Sequence, residues 1–396
     1  MPPRLRGLIL QCLSLVCCGL WPWVALAIEP TSPWAFVTTN EVDLPIVIVL
    51  PQPLVPPVLR SAPGPLGVST STASPPTSAV LAAPSIFPAW HTRTLSGPLV
   101  SLKEWAQYTS STPPRRIADS PQPVYEIRHR QGTVIVRVGT ARVTVFGTDV
   151  TLSRPTQFVG GEPCLNRVDC EKTLFPLFWP SSTMLANTNR VVFLDPGHGG
   201  RDVGTQSLDA RRYEKNLTLD WALRVKPLLE SHGLRVILTR TNDVEVPLAQ
   251  RVLMAEEAKA SIFVSLHWNS ASPHANRRGL EAYALTPPGL PSTVVRDGED
   301  NPKLMFPNNV FDTSNTLLAW LVQRAATRNA GASDGGIQHA RFMGVLRGQN
   351  RPAVLIEGGY LSHPEESRRI ADASYRQKLA QGVAQAIQQF FELPDS

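Results

Sequence analysis

A chain of 396 residues has room for two domains and one sizeable core, and its 42% hydrophobic content is ordinary for a globular protein. Its 37 prolines are too many, and too unevenly spread, for one compact fold over the whole length. The net charge of +6 comes without a Lys/Arg run or an aromatic-interleaved basic stretch, which argues against nucleic acid; a basic surface suits an anionic polymer or an acidic lipid surface instead.

Residues 1–27 read as a signal peptide. Arg4 and Arg6 precede an apolar run from Leu8 to Val24, and Ala25-Leu26-Ala27 offers small residues for cleavage. Trp21-Pro22-Trp23 leaves an uncleaved anchor as the other reading, and that anchor would be the one membrane contact. No other stretch reaches about 18 uninterrupted apolar residues. Export to the periplasm or the extracellular space is therefore expected. Cys12, Cys17 and Cys18 leave with this segment, so the mature chain keeps Cys164 and Cys170. A short disulfide loop is expected of that pair in an oxidising compartment. A zinc knuckle would need two more ligands nearby.

Residues 28–99 are rich in Pro, Ser, Thr and Ala with few charges, and Pro56-Pro57 and Pro75-Pro76 favour extended chain. This stretch reads as a disordered or semi-rigid linker. Residues 100–182 read as a small β-rich module: Val134–Val138, Arg142–Val145 and Val150–Leu152 are β-rich runs separated by Gly139-Thr140-Ala141 and Gly147-Thr148-Asp149. This module loosely resembles the N-terminal domain of copper amine oxidases, which implies an accessory or wall-binding role.

From residue 189 to 393 the pattern becomes strand–helix alternation. Val191–Leu194, Val236–Leu238, Ile262–Leu266 and Val354–Ile356 are apolar runs of the buried parallel-strand type. Leu217, Trp221, Val225 and Leu228 recur at helical spacing, as do Tyr375, Leu379, Val383, Ala386 and Phe390. The fold class is thus α/β: an open, mostly parallel sheet with helices on both faces.

In such sheets ligands bind outside the carboxyl ends of the strands. His198 follows the first strand, His267 ends the third, Glu357 ends a later one, and Glu214 opens the first helix. Two imidazoles and one carboxylate form a usual zinc set for hydrolysis, with a position left for water. His198, Glu214 and His267 are the expected Zn2+ ligands, and Glu357 the expected acid/base. Each alone has a plainer reading, as a turn, a helix-dipole carboxylate or a hydrogen-bonded histidine. A carboxylate directly after Ala353-Val354-Leu355-Ile356 is the hardest to explain that way, because an unpaired buried charge is costly.

These motifs carry a family resemblance. Asp195-Pro196-Gly197-His198-Gly199-Gly200, Glu214-Lys215-Asn216, Leu238-Thr239-Arg240, Ser265-Leu266-His267 and Glu357-Gly358-Gly359-Tyr360-Leu361-Ser362 resemble, in order and spacing, the zinc-dependent N-acetylmuramoyl-L-alanine amidases. The resemblance implies zinc on the three ligands, Glu357 in catalysis, and cleavage of the amide between N-acetylmuramoyl residues and L-alanine in peptidoglycan. A zinc peptidase acting within the stem peptide is the alternative reading, and a binding module without catalysis is a third. The sequence names no protein activator. Two departures stand out. Trp268 replaces a small residue, and reads either as a substrate platform or as a packing residue. His363 replaces an Asn, and a surface-loop role is expected of it. Some family members carry a long helical insertion over the zinc, whereas the segment from Thr286 to Phe311 here is short, so an open pocket is expected.

Overall fold

The computed structural model describes Leu95 and residues 97–394, apart from 272–275, 297 and 299. The expected signal segment and almost all of the expected linker lie outside the described residues.

The β-rich module comprises β1 (Leu99–Ser101), α1 (Leu102–Tyr108), β2 (Arg115–Ala118), β3 (Val124–His129), β4 (Gly132–Arg137), β5 (Arg142–Val145), β6 (Thr148–Thr151), β7 (Gln157–Val159), β8 (Glu162–Asn166) and α2 (Phe175–Phe178). Strands β2 to β6 form an antiparallel meander, in which Gly139 and Gly147 supply the positive φ that its tight turns need. The α/β part follows with β9 (Val191–Pro196), α3 (Glu214–Glu230), β10 (Arg235–Leu238), α4 (Leu248–Glu257), β11 (Ile262–Asn269), β12 (Leu280–Ala284), α5 (Asp312–Ala330), β13 (Asp334–His339), α6 (Gly344–Arg347), β14 (Ala353–Tyr360), α7 (Pro364–Ala371) and α8 (Ala373–Phe391).

Among the described residues β1, β8 and β7 form a small separate sheet, and the other strands form one large sheet in the order β10-β9-β11-β14-β12-β13-β6-β5-β4-β3-β2. Within the α/β part only the β12–β14 pair is antiparallel. Successive strand residues point to opposite faces, and β9 shows what this does. Val192 and Leu194 join one core with Leu217, Trp221 and Val225 of α3 and Leu379, Val383 and Phe390 of α8. Val191 and Phe193 join a second core on the other face, with Ala255 of α4 and Val345 and Leu346 of α6. Each fully buried large apolar side chain contributes about 1.5–3 kcal/mol, so strands flanked by both cores are the rigid part of the fold.

The two expected domains, 100–182 and 189–393, share this sheet. Strand β6 meets β13 in parallel at Val150 and Ile337, and the Asp149 N–H donates to Asp334 Oδ2 at 3.0 Å. Helix α2 packs on α5, and the Phe146 ring meets Trp320 edge-on at 6.2 Å. The larger core runs through both parts.

The expected disulfide is not formed. Cys164 lies on β8 between β1 and β7, with its Sγ on the Glu162 carbonyl, whereas Cys170 sits on the next helical turn inside the larger core. Both are buried free thiols because the chain turns between them and sends their side chains to different surroundings.

Candidate metal and catalytic site

Two strand ends and one helix start bring the expected ligands together. His198 stands two residues beyond β9 in a left-handed conformation, φ 61°, which a non-glycine residue adopts only when its surroundings hold it there. Two buried arginines supply that hold. Arg240 donates to the carbonyls of Pro196 (3.0 Å) and Gly197 (2.9 Å), and Arg251 to those of Pro196 (3.1 Å) and His198 (2.9 Å). Arg251 in turn pairs with buried Asp195 at 2.6 Å, and Asp195 also accepts from Thr239 and Ser265, each at 2.7 Å. Buried carbonyls and a buried carboxylate are all answered, as an unstrained interior requires.

Glu214, the first residue of α3, places Oε1 3.1 Å from His198 Nε2 and 2.9 Å from His267 Nδ1. Its Oε1 also accepts from the Trp268 N–H at 2.9 Å, and its Oε2 from the Thr205 N–H at 2.8 Å. The two imidazoles meet edge to face, 4.9 Å between centroids. One donor atom from each of His198, Glu214 and His267 lies within 4.8 Å of the others. Behind His198, Asp202 Oδ1 sits 2.8 Å from Nδ1 and orients the ring, the usual outer partner of a metal-binding histidine.

The electrostatics are those of a cation-seeking site. Burial alone would raise the Glu214 carboxyl, but the two histidines beside it outweigh burial and hold it well below the usual carboxylate range. Burial likewise would depress the His198 imidazole, while Glu214 and Asp202 outweigh it and hold the imidazole above its ordinary value. The cluster thus attracts positive charge, and the donor set fits zinc. The imidazoles remain reachable, with 22% of the His198 side chain and 17% of the His267 side chain exposed. A cavity of about 220 Å³ opens beside them, walled by Val246, Pro247, Leu248 and Val345.

Glu357 lies beside His267 in the β11–β14 register, and Glu281 lies beside Glu357 across β12. Burial pushes the Glu357 carboxyl well above its ordinary value, the charges of Glu214 and Glu281 add to this, and Arg296 opposes it. Its Oε2 is shut from solvent without a hydrogen-bond partner among the described residues. Glu281 differs: its Oε2 accepts from Tyr283 and Tyr360, both at 2.9 Å, and from Asn269 at 3.1 Å.

Two sequence readings resolve differently. Trp268 is no substrate platform: it is 1% exposed and packs at a tilt against Trp221, 4.9 Å between ring centroids. Strand β11 continues to Asn269, so alternation sends Trp268 to the face opposite His267. His363 caps α7, its Nδ1 accepting from the Glu366 N–H at 3.3 Å. Sequence reasoning missed Asp195, Asp202, Arg251 and Glu281. Asp195 stood within the motif quoted above, whereas Asp202, Arg251 on α4 and Glu281 carried no local signal.

Fold and site together define a doubly covered α/β protein in which three donors that could hold a cation converge where two strand ends meet a helix start. The sequence model of the N-acetylmuramoyl-L-alanine amidases (Amidase_3) matches residues 192–389, half of the chain, and the chain belongs to that family. It is 30% identical over 229 residues to the N-acetylmuramoyl-L-alanine amidase AmiA of Escherichia coli, covering 52% of this chain and 78% of the relative. To AmiC of Neisseria meningitidis, also an N-acetylmuramoyl-L-alanine amidase, it is 31% identical over 221 residues, 50% of this chain and 52% of the relative. The chain thus spans about half the length of the Neisseria protein. Among solved structures, the catalytic domain of CwlV from Bacillus (Paenibacillus) polymyxa is 31% identical, covering 51% of this chain and 98% of that domain with a TM-score of 0.43.

Proposed function

We propose that this chain is an exported zinc enzyme that hydrolyses the amide between N-acetylmuramoyl residues and L-alanine of peptidoglycan, in cell-wall remodelling or turnover. The observation that carries the reading is the juxtaposition of a converged His198–Glu214–His267 donor set with Glu357, whose Oε2 is shut from solvent without a hydrogen-bond partner among the described residues. His198, Glu214 and His267 would hold the ion, Asp202 would fix the His198 ring, and Glu214 would be anchored by the Thr205 and Trp268 amides. Zinc in such a site polarises a carbonyl and lowers the pKa of a water to roughly 7.

Glu357 takes one proton from the attacking water as its oxygen bonds to the lactyl carbonyl carbon. It then gives that proton to the alanine nitrogen as the C–N bond breaks. The products are a lactyl carboxylic acid on the glycan, which then gives its proton to solvent, and a stem peptide with a free amine. The task asks Glu357 to be ionised for the first transfer and protonated for the second.

Digestion of purified sacculi tests the reading: intact stem peptides with free L-alanine amines are expected, and products cut within the peptide would refute it. Glu357→Gln should keep its zinc while losing about 10²–10⁴-fold in turnover. Retention of more than about a tenth of wild-type turnover, below that range, would remove Glu357 from the acid/base role.

A further inference from the structure

Helices α5 and α8 pack closely where Gly382 meets Ala326, and a groove of about 410 Å³ opens beside that contact. Arg324, Arg328 and Asn329 line it from α5, and Gln385 and Gln389 from α8. The two arginines are four residues apart, as are the two glutamines, so each pair shares one helix face. None of these residues lines the cavity beside His198 and His267.

Arg324 is the more enclosed of the two. Its guanidinium lies over the buried Trp320 ring, 4.8 Å from the centroid, and Phe146 meets that ring edge-on. Its Nε is shut from solvent without a hydrogen-bond partner among the described residues. The ring answers the face of the guanidinium, while its N–H groups lie in the plane and still need acceptors. Burial and the charge of Arg328 both hold it below its ordinary value, and no carboxylate opposes them. Arg328 reaches the β5–β6 turn, where a Cβ on Gly147 would stand 3.7 Å from its Nη2. An arginine stem covering a core aromatic explains Arg324 alone, but not a second like charge brought to the same helix face. The Asn329 amide donates to Gln385 Oε1 and to the Ala325 carbonyl, both at 2.9 Å, which leaves Gln385 Nε2 as a further donor. Among the described residues the groove thus gathers donors and positive charge, and no carboxylate lines it.

We propose that this groove is a phosphate-binding site, in which Arg324 and Arg328 clasp one phosphate group and Gln385 donates to a remaining oxygen. A phosphate offers at least three strong acceptor oxygens and, as a monoester, carries about −1.5 to −2 charges near neutral pH, which suits two guanidiniums. A carboxylate has two oxygens and one charge, and would leave one arginine unanswered. Such a group comes free in solution or on a phospholipid head, and the chemistry that holds it in the groove is the same for both.

Equilibrium dialysis of the mature zinc-loaded protein against labelled inorganic phosphate tests the site. Zinc can itself hold phosphate, so the readout is the difference between wild type and variants of equal zinc content. Arg324→Gln and Arg328→Gln should each weaken binding by about 10–100-fold, the worth of one charge-assisted contact. Arg328 is exposed, so its variant keeps the test open if Arg324→Gln lowers stability. Arg324→Lys and Arg328→Lys keep the charge without the planar fork, and should recover only part of the affinity. A second arm uses vesicles of phosphatidylcholine with and without phosphatidic acid. Cosedimentation that needs both phosphatidic acid and the two arginines, with no difference in dialysis, identifies the lipid head as the source of the phosphate. Lysine variants that bind as wild type does would reduce the groove to general positive charge and overturn the proposal. Wild type and glutamine variants that match in both arms would overturn it as well.

Discussion

Gly197→Ala should disarm the metal site while leaving the fold in place. A Cβ at Gly197 would stand 2.2 Å from His267 Cε1 and 2.3 Å from Nε2. Ordinary carbon contacts need about 3.5–4.0 Å, so the separation must grow by more than about 1 Å. Either the loop or the ring yields. The loop is tied at this residue: the Gly197 N–H donates to the Leu266 carbonyl at 3.0 Å, and its own carbonyl accepts from Arg240 (2.9 Å) and Thr218 (2.8 Å). Giving up these three bonds, one of them charge-assisted, costs roughly 3–5 kcal/mol. Turning an imidazole about 30° off its rotamer costs only about 0.5–1.5 kcal/mol. The ring therefore moves, and Nδ1 no longer meets the Glu214 carboxylate. Bound zinc, measured by emission spectrometry, should fall well below one per chain. Turnover should drop by about 10²-fold or more, as for an ångström of misplacement. A Gly197→Ala protein with full zinc and turnover within about threefold of wild type, far from that loss, would refute the reasoning.

Three further outcomes follow from the same structure. Glu214→Gln should lose zinc as well as turnover, because a neutral amide is a poor ligand; full zinc content in that variant would show that Glu214 is no ligand. Burial holds Asp312 up to about 7 and Asp169 to about 6, above the ~3.9 of an unfolded Asp, so the native chain binds more protons than the unfolded one in between. These two groups therefore contribute stability that is lost as pH rises from about 4 to 7, and Asp312→Asn should flatten part of that slope in urea titrations; an unaltered slope would contradict it. Deleting residues 95–180 should leave a chain that aggregates or melts far below the parent, since it bares the α5 surface around Trp320 and the β13 edge. A deletion variant that melts with the parent would mean that the shared sheet adds nothing to stability.

The parts of this fold that were legible share a physical cause. Strands β9, β10, β11 and β14 are flanked on both faces, so their apolar runs are continuous and stand out against the helical spacing of α3 and α8. Strands β12 and β13 escaped because Glu281 interrupts the first and Gly335-Gly336 and Gln338 the second. The junction of module and α/β sheet escaped too, since a single residue pair, Val150 with Ile337, carries the strand contact. At the site, His198, His267 and Glu357 were readable because a polar side chain after an apolar strand has few reasons to be there. Arg240 and Arg251 were opaque for the opposite reason: long cationic side chains are usually exposed, and nothing local says that the turn after β9 will bury carbonyls needing donors. Trp268 shows how closely face and boundary are linked. Ending β11 at Leu266 frees Trp268 to lie beside the metal, whereas ending it at Asn269 puts alternation in control and sends the indole to Trp221. The strand reaches Asn269 through the Asn269–Tyr360 pairing with β14, while the intervening Trp268 N–H is turned to Glu214 Oε1 and not to the ladder.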